Sequence, residues 1–245
     1  MKLKVIGYWG GFPAVNEATS GYLLESNGFR LLVDCGSAVL SKLQETIEVD
    51  ELDAVILSHY HHDHIADIGP LQFGRHVTSI LKGTTKTLPI YAHSLDREGF
   101  NKLTYKAATK GIEYDPAQTL SIGPFSITFL RTIHPVPCFA MRITDQQSTI
   151  VYTADSSFQE SFIDFSQGAN LLVAESSLYA NQDGKNSGHM NSKEAGYLAE
   201  AANTKQLLLT HLPHFGEHEL LVKEAGEYFK GQVVLASSGF EWSDQ

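Results

Sequence analysis

Residues 55–64 read Val-Ile-Leu-Ser-His-Tyr-His-His-Asp-His, an apolar run that ends in a cluster of metal-binding side chains. His59, His61, Asp63 and His64 form the pattern H-x-H-x-D-H. The run Val55-Ile56-Leu57 predicts a buried strand, and the cluster predicts the loop at its carboxyl end. Alternate side chains of an extended segment face the same way, so His59 and His61 can reach one ion together. Asp63 and His64 lie beyond the strand, where a turn of the chain aims them at a second ion. A His-rich surface loop is the plainer alternative. Chance rarely sets such a loop directly after an apolar strand with an aspartate inside it.

The same event recurs along the chain. An apolar strand ends and a metal-competent residue follows, at His134 after Phe125–Leu130, at Asp155 after Thr149–Thr153, at Glu175 after Leu171–Ala174 and at His211 after Gln206–Thr210. Loops at strand ends, held by a rigid sheet, are where α/β proteins place their chemistry. One histidine after a strand says little. Five such events, with H-x-H-x-D-H among them, point to a metal centre.

The rest of the pattern fills in a single α/β domain spanning 1–245. Lys2–Tyr8 alternates as a strand, and Tyr22–Glu25 and Leu31–Asp34 flank Asn27-Gly28, a hairpin signal. Helical spacing runs over Ala38–Thr46. A Gly69-Pro70 break precedes a further helix to Leu81, and Asp96–Thr109 reads as helix. Leu88–Ala92 is a short strand, and Phe139–Ile143 pairs with Thr149–Thr153. Asn191, with Glu194 three residues on, forms a capping box for another helix. Glu217–Lys230 is the last helix and Val233–Ala236 the last strand. Two sheets flanked by helices fit this order.

Composition narrows the function classes. The chain has 245 residues, 19% charged and 42% hydrophobic, with a net charge of −10. An acidic balance with scattered Lys and Arg argues against broad nonspecific nucleic-acid binding. The two cysteines, Cys35 and Cys138, form no metal or redox motif and read as small buried residues. No signal peptide or membrane span is expected, so a cytoplasmic protein is the default.

The cluster, His134, Asp155 in Tyr-Thr-Ala-Asp-Ser and His211 in Leu-Thr-His-Leu resemble the metallo-β-lactamase superfamily in order and spacing. Ala174-Glu175-Ser176-Ser177 and Gly188-His189-Met190-Asn191 resemble its ribonuclease Z branch, which carries an additional Glu and His. The resemblance implies a four-layer αββα sandwich of two mixed sheets. It implies that His59, His61 and His134 hold one metal, that Asp63, His64 and His211 hold a second, and that Asp155 bridges the two. The resemblance also implies that Asp34, in Val-Asp-Cys-Gly, stands behind the site and orients a ligand histidine. The ligand types fit Zn²⁺ first, with Mn²⁺ or Fe as alternatives. A hydroxide between ions about 3.5–4 Å apart would be the nucleophile. Asp63 would accept a proton, and His189, held by Glu175, would protonate the leaving oxygen. The resemblance also implies a homodimer.

The chain departs from the branch at Asp155, where Ala-Asp-Ser-Ser stands in place of its usual Gly-Asp-Thr, and in the transfer-RNA arm. Enzymes that process transfer RNA insert a long arm between the counterparts of His134 and Asp155, and here residues 135–154 leave room only for two strands and a turn. The expected substrate is therefore a small phosphodiester, a cyclic nucleotide or a short nucleic acid rather than transfer RNA. Hydrolysis of a lactone, thioester or amide on the same metal site is the alternative. A metal-loaded binding module without catalysis is a third reading, disfavoured by the complete ligand set. His62 is the variable position of the motif, and His76, His93, His214 and His218 have no partner that the sequence names.

Overall fold

A computed structural model describes residues 1–84 and 86–244 of the chain. It divides into two compact units. The first takes Met1–Asp115, Ile122–Pro124 and Ser238–Ser243, and the second is built on Pro116–Ser121 and Phe125–Ser237.

In the first unit, β1 (Lys2–Gly7), β2 (Gly21–Ser26) and β3 (Phe29–Val33) run antiparallel. Asn27 and Gly28 join β2 to β3 with φ of 50° and 78°. Both values are positive, as the tight hairpin turn matching strand twist requires. β4 (Ala54–Ile56), β5 (Leu88–Ala92) and β6 (Thr109–Glu113) then add in parallel. The late segment Glu241–Ser243 pairs with the free side of β1. β4 is fully buried, as expected of a parallel strand covered on both faces. Leu32, Val55, Leu57, Leu71 and Ile90 centre the core of this unit.

Its helices are α1 (Val39–Leu43), α2 (His62–Ile65), α3 (Ile68–Lys82) and α4 (Arg97–Asn101). Three of them correct the sequence reading. α1 is shorter than Ala38–Thr46, because Ala38 enters it at φ 66° and the chain leaves through turns after Leu43. Gly69-Pro70 does not break a helix but lies in the first turn of α3, where a proline forfeits no intrahelical hydrogen bond. The helix expected over Asp96–Thr109 stops at Asn101, and the chain turns at Tyr105–Ala108 into β6. β6 is half-exposed and lacks the alternation that would have marked it as a strand.

The second sheet has the order β13-β12-β11-β10-β9-β8-β7. β7 (Leu120–Ile122), β8 (Phe125–Arg131), β9 (Phe139–Thr144) and β10 (Thr149–Tyr152) lead into β11 (Leu171–Glu175), β12 (Gln206–Thr210) and β13 (Gln232–Leu235). β8, β9 and β10 pair antiparallel, whereas β10 through β13 are parallel. Both seven-stranded sheets are thus mixed, with Glu241–Ser243 as β14 at the edge of the first. β9 and β10 fill most of the stretch between His134 and Asp155 as a hairpin. α5 (Ser161–Ser166), α6 (Ser192–Ala201) and α7 (His218–Tyr228) complete the second unit. Among the described residues no helix is long and apolar enough to cross a membrane.

The expected capping box opens α6. The Asn191 side chain accepts from Glu194 N at 2.9 Å, and Glu194 Oε2 accepts from Asn191 N at 3.0 Å. Asn191→Ala removes one half of this reciprocal pair and should lower stability by about 1 kcal/mol. The urea midpoint of the variant measures the loss, and an unchanged midpoint would show that the cap is dispensable.

Candidate functional site

In the first unit β4 ends, and the chain bends at Ser58 and runs through His59 to an extended His61, where α2 begins. His61 is the N-cap of that single helical turn. This stretch sends His59 and His61 one way, with ring centroids 4.8 Å apart. The helical turn brings Asp63 and His64 round, and the His64 ring lies 4.1 Å from that of His59. Ligand atoms of His59 and His61 come within 4.8 Å of each other, as do those of Asp63 and His64. His62, by contrast, is exposed. A backbone donor from far up the chain fixes Asp63: Gly11 N donates to its Oδ2 at 2.8 Å.

Asp34 lies beneath this cluster, fully buried just past β3. Its Oδ1 accepts from Ser58 N at 2.8 Å, and its Oδ2 accepts from Ser58 Oγ and from His64 Nδ1, each at 2.8 Å. Because the Ser58 hydroxyl gives its proton to the carboxylate, its oxygen accepts from His59 Nδ1 at 3.0 Å. Both imidazoles are therefore Nδ1–H tautomers whose Nε2 carries the lone pair, the form that a divalent cation takes.

In the second unit, His134, Asp155 and His211 gather at the ends of β8, β10 and β12. Asp155 Oδ2 is 3.9 Å from His134 Nε2 and 3.3 Å from His211 Nε2, so both ring nitrogens point to one carboxylate. His134 Nδ1 donates to Gly188 O at 3.0 Å. Gly188 has φ of +80°, and a Cβ there would stand 2.9 Å from His134 Nδ1, so this place takes glycine alone. Burial, the largest influence, holds the His134 imidazole below its usual pKa and Asp155 opposes it. The net effect keeps the ring neutral at physiological pH, as ligation requires.

Glu175 ends β11 fully buried and is held as Asp34 is. Oε1 accepts from Ser156 N at 2.8 Å and from His189 Nδ1 at 2.9 Å, and Oε2 accepts from Ser177 Oγ at 2.7 Å. The Ser177 oxygen in turn accepts from His211 Nδ1 at 2.8 Å. His189 is packed between two of the expected ligands. Its ring is stacked on His211 at 5.4 Å and set edgewise to His134 at 5.4 Å.

The backbone bends sharply where these side chains leave their sheets. Asp34, Ala154 and His211 have φ of 56°, 51° and 53°. Left-handed backbone at a residue other than glycine is strained and persists where the surroundings over-determine it. Sequence reasoning did not assign roles to Gly11, Ser58, Ser177 or Gly188. Ser58 and Ser177 stand beside motif residues, which was the available signal. Three of the histidines left without a named partner have one here: His76 Nε2 lies 3.0 Å from Lys106 Nζ, His93 Nδ1 accepts from Leu95 N at 3.2 Å, and His218 Nε2 lies 2.7 Å from Pro213 O.

Residues 29–212 match the beta-lactamase superfamily domain. The chain is 63% identical over 242 residues to the probable metallo-hydrolase YhfI of Bacillus subtilis (strain 168), covering 99% of each. The crystal structure of YhfI, a metallo-beta-lactamase fold protein, matches with a TM-score of 0.97 over 98% of each chain. A ribonuclease Z of Sulfolobus acidocaldarius is 24% identical over 279 residues, with 92% of each covered. A diphosphatase from the PhnP family matches in fold, with a TM-score of 0.77 at 18% identity over 100% of this chain and 98% of the other.

Removing the acceptor beneath His64 tests whether the first cluster is built for metal. Asp34→Asn leaves His64 Nδ1 and the Ser58 hydroxyl without the carboxylate. It should weaken metal binding about 10–100-fold, read by equilibrium titration of metal-free protein with Zn²⁺. Unchanged affinity would show that Asp34 does not support the ligands.

Proposed function

The chain belongs to the beta-lactamase superfamily, and on that premise we propose that it is a dinuclear metal-dependent hydrolase of small phosphodiesters, cyclic nucleotides or short nucleic acids. His59, His61 and His134 would hold one ion, and Asp63, His64 and His211 the other. Asp155 would be shared between them. The His and Asp donors fit Zn²⁺, and also Mn²⁺ or Fe. Pinned Nδ1 atoms on His59, His64, His134 and His211 suit them to ligation through Nε2. When bound, two such ions supply an activated water and offset the charge that grows on a phosphodiester in its transition state.

The observation that carries the phosphodiester reading is the Glu175–His189 pair. Glu175 Oε1 accepts a hydrogen bond from His189 Nδ1 at 2.9 Å, and the ring packs against both His134 and His211. With Nδ1–H held on Glu175, the doubly protonated ring would deliver its Nε2 proton to the leaving oxygen and remain as the neutral imidazole, a task general-acid catalysis gives to histidine. Asp63, steadied by Gly11 N–H, accepts the proton of the attacking water. Ester, lactone or thioester cleavage has less need of the Glu175–His189 pair, since those leaving groups depart with less help. The names of the ribonuclease Z and diphosphatase relatives add weight to a phosphorus-centred reaction. The β9–β10 hairpin occupies the place of a transfer-RNA arm, which favours a smaller substrate.

Metal-reconstituted protein should contain about two ions per chain and hydrolyse bis-p-nitrophenyl phosphate. One ion after full loading would sink the dinuclear reading, and turnover of a lactone or thioester alone would move the assignment to carbon-centred esters. His189→Ala should keep both ions yet lose about 10²–10⁴ in kcat on diesters with poor leaving groups. Nitrophenolate esters, which leave unaided, should be less affected. Loss of metal from this variant would make His189 a ligand instead.

A further inference from the structure

Asp34 and Glu175 hold their histidines by the same device. Each fully buried carboxylate takes one imidazole directly, His64 Nδ1 at 2.8 Å or His189 Nδ1 at 2.9 Å. Each takes a second through a serine hydroxyl. Ser58 Oγ stands between Asp34 and His59, and Ser177 Oγ between Glu175 and His211. Each carboxylate also accepts one backbone N–H, from Ser58 or Ser156. What the two arrangements share is a hydroxyl placed between a carboxylate and an imidazole.

We propose that Ser177 is a positioning residue through which one carboxylate, Glu175, orients two imidazoles with different tasks: His189 directly and His211 by relay. The argument rests on the single hydroxyl proton. Ser177 Oγ has two acceptors in reach, Glu175 Oε2 at 2.7 Å and His211 O at 3.3 Å. The shorter bond is to a charged acceptor and is the stronger one. With its proton committed to Glu175, the Ser177 oxygen can only accept. Its neighbour His211 Nδ1 at 2.8 Å must then donate, while the single Nδ1–H of His189 is directed at Glu175 Oε1 at 2.9 Å and only skirts the hydroxyl at 3.4 Å. The relay thus sets His211 as the Nδ1–H tautomer and turns its Nε2 towards Asp155. It also spreads three donors over the two oxygens of Glu175, so His189 alone does not determine how that carboxylate sits. The inference depends on the donors described above and is independent of which substrate is cleaved.

The test uses the full chain, metal-free and labelled with ¹⁵N at its histidines. In the wild type, long-range ¹H–¹⁵N spectra at neutral pH should show His211 as the Nδ1–H tautomer. Ser177→Ala should convert His211 to a mixture or to the Nε2–H form, while His64 on Asp34 keeps its tautomer as an internal control of folding. Ser177→Thr, which retains the hydroxyl, should restore the wild-type signal. In Zn²⁺ titration, Ser177→Ala should bind one ion about 10–100-fold more weakly, with Ser177→Thr near wild type. A wild-type His211 in the Nε2–H form, or a Ser177→Ala variant with unchanged tautomer, overturns the proposal. Ser177→Thr as impaired as Ser177→Ala also overturns it, because the residue would then matter for its size alone. The tautomer readout needs no metal, so a chain that took up fewer than two ions would count against the dinuclear reading and leave this one to be judged on the spectra.

Discussion

Two carboxylates buried at strand ends, Asp34 and Glu175, orient the imidazoles around them. A carboxylate removed from water is costly unless hydrogen bonds replace its hydration. Each of these has three such bonds: a backbone N–H, a serine hydroxyl and an imidazole Nδ1–H. The same bonds that make burial tolerable determine which nitrogen of each ring carries its lone pair. Stabilising the carboxylate and preparing the ligand are one interaction.

The sheets supply the rigidity this needs. β4, β10, β11 and β12 are central or parallel strands with buried side chains, and the functional groups leave from their carboxyl ends. The turn away from the sheet is abrupt, with left-handed backbone at Asp34, Ala154 and His211. Strain of this kind is held by the surrounding hydrogen bonds and packing. In the second unit, His189 adds a proton-bearing group beside His134 and His211, held on Glu175 by a bond that ligation at Nε2 of its neighbours would leave in place.

Much of this was legible in the residues. The hairpin at Asn27-Gly28, the strands leading to His59, Asp155, Glu175 and His211, and the capping box at Asn191 are local patterns, and they appear where the patterns lie. The misread segments failed for local reasons too. Gly69-Pro70 looks like a breaker unless it falls in the first turn of a helix, and its place depended on where α3 begins. The half-exposed edge strand β6 carries no alternation, so helical propensity alone described it badly.

The sequence by itself determined the kinds and order of the donors, because strand alternation and the H-x-H-x-D-H spacing act over a few residues. It also carried the family, since residues 29–212 match the superfamily domain. Only the tertiary structure decided how each donor is held. Gly11 reaches Asp63 across 52 positions, Asp34 reaches His64 across 30 and Ser177 reaches His211 across 34. A hydrogen bond depends on distance and angle to a few tenths of an ångström. Contacts between segments so far apart are set by how the sheet brings strand ends together, and no local pattern encodes them.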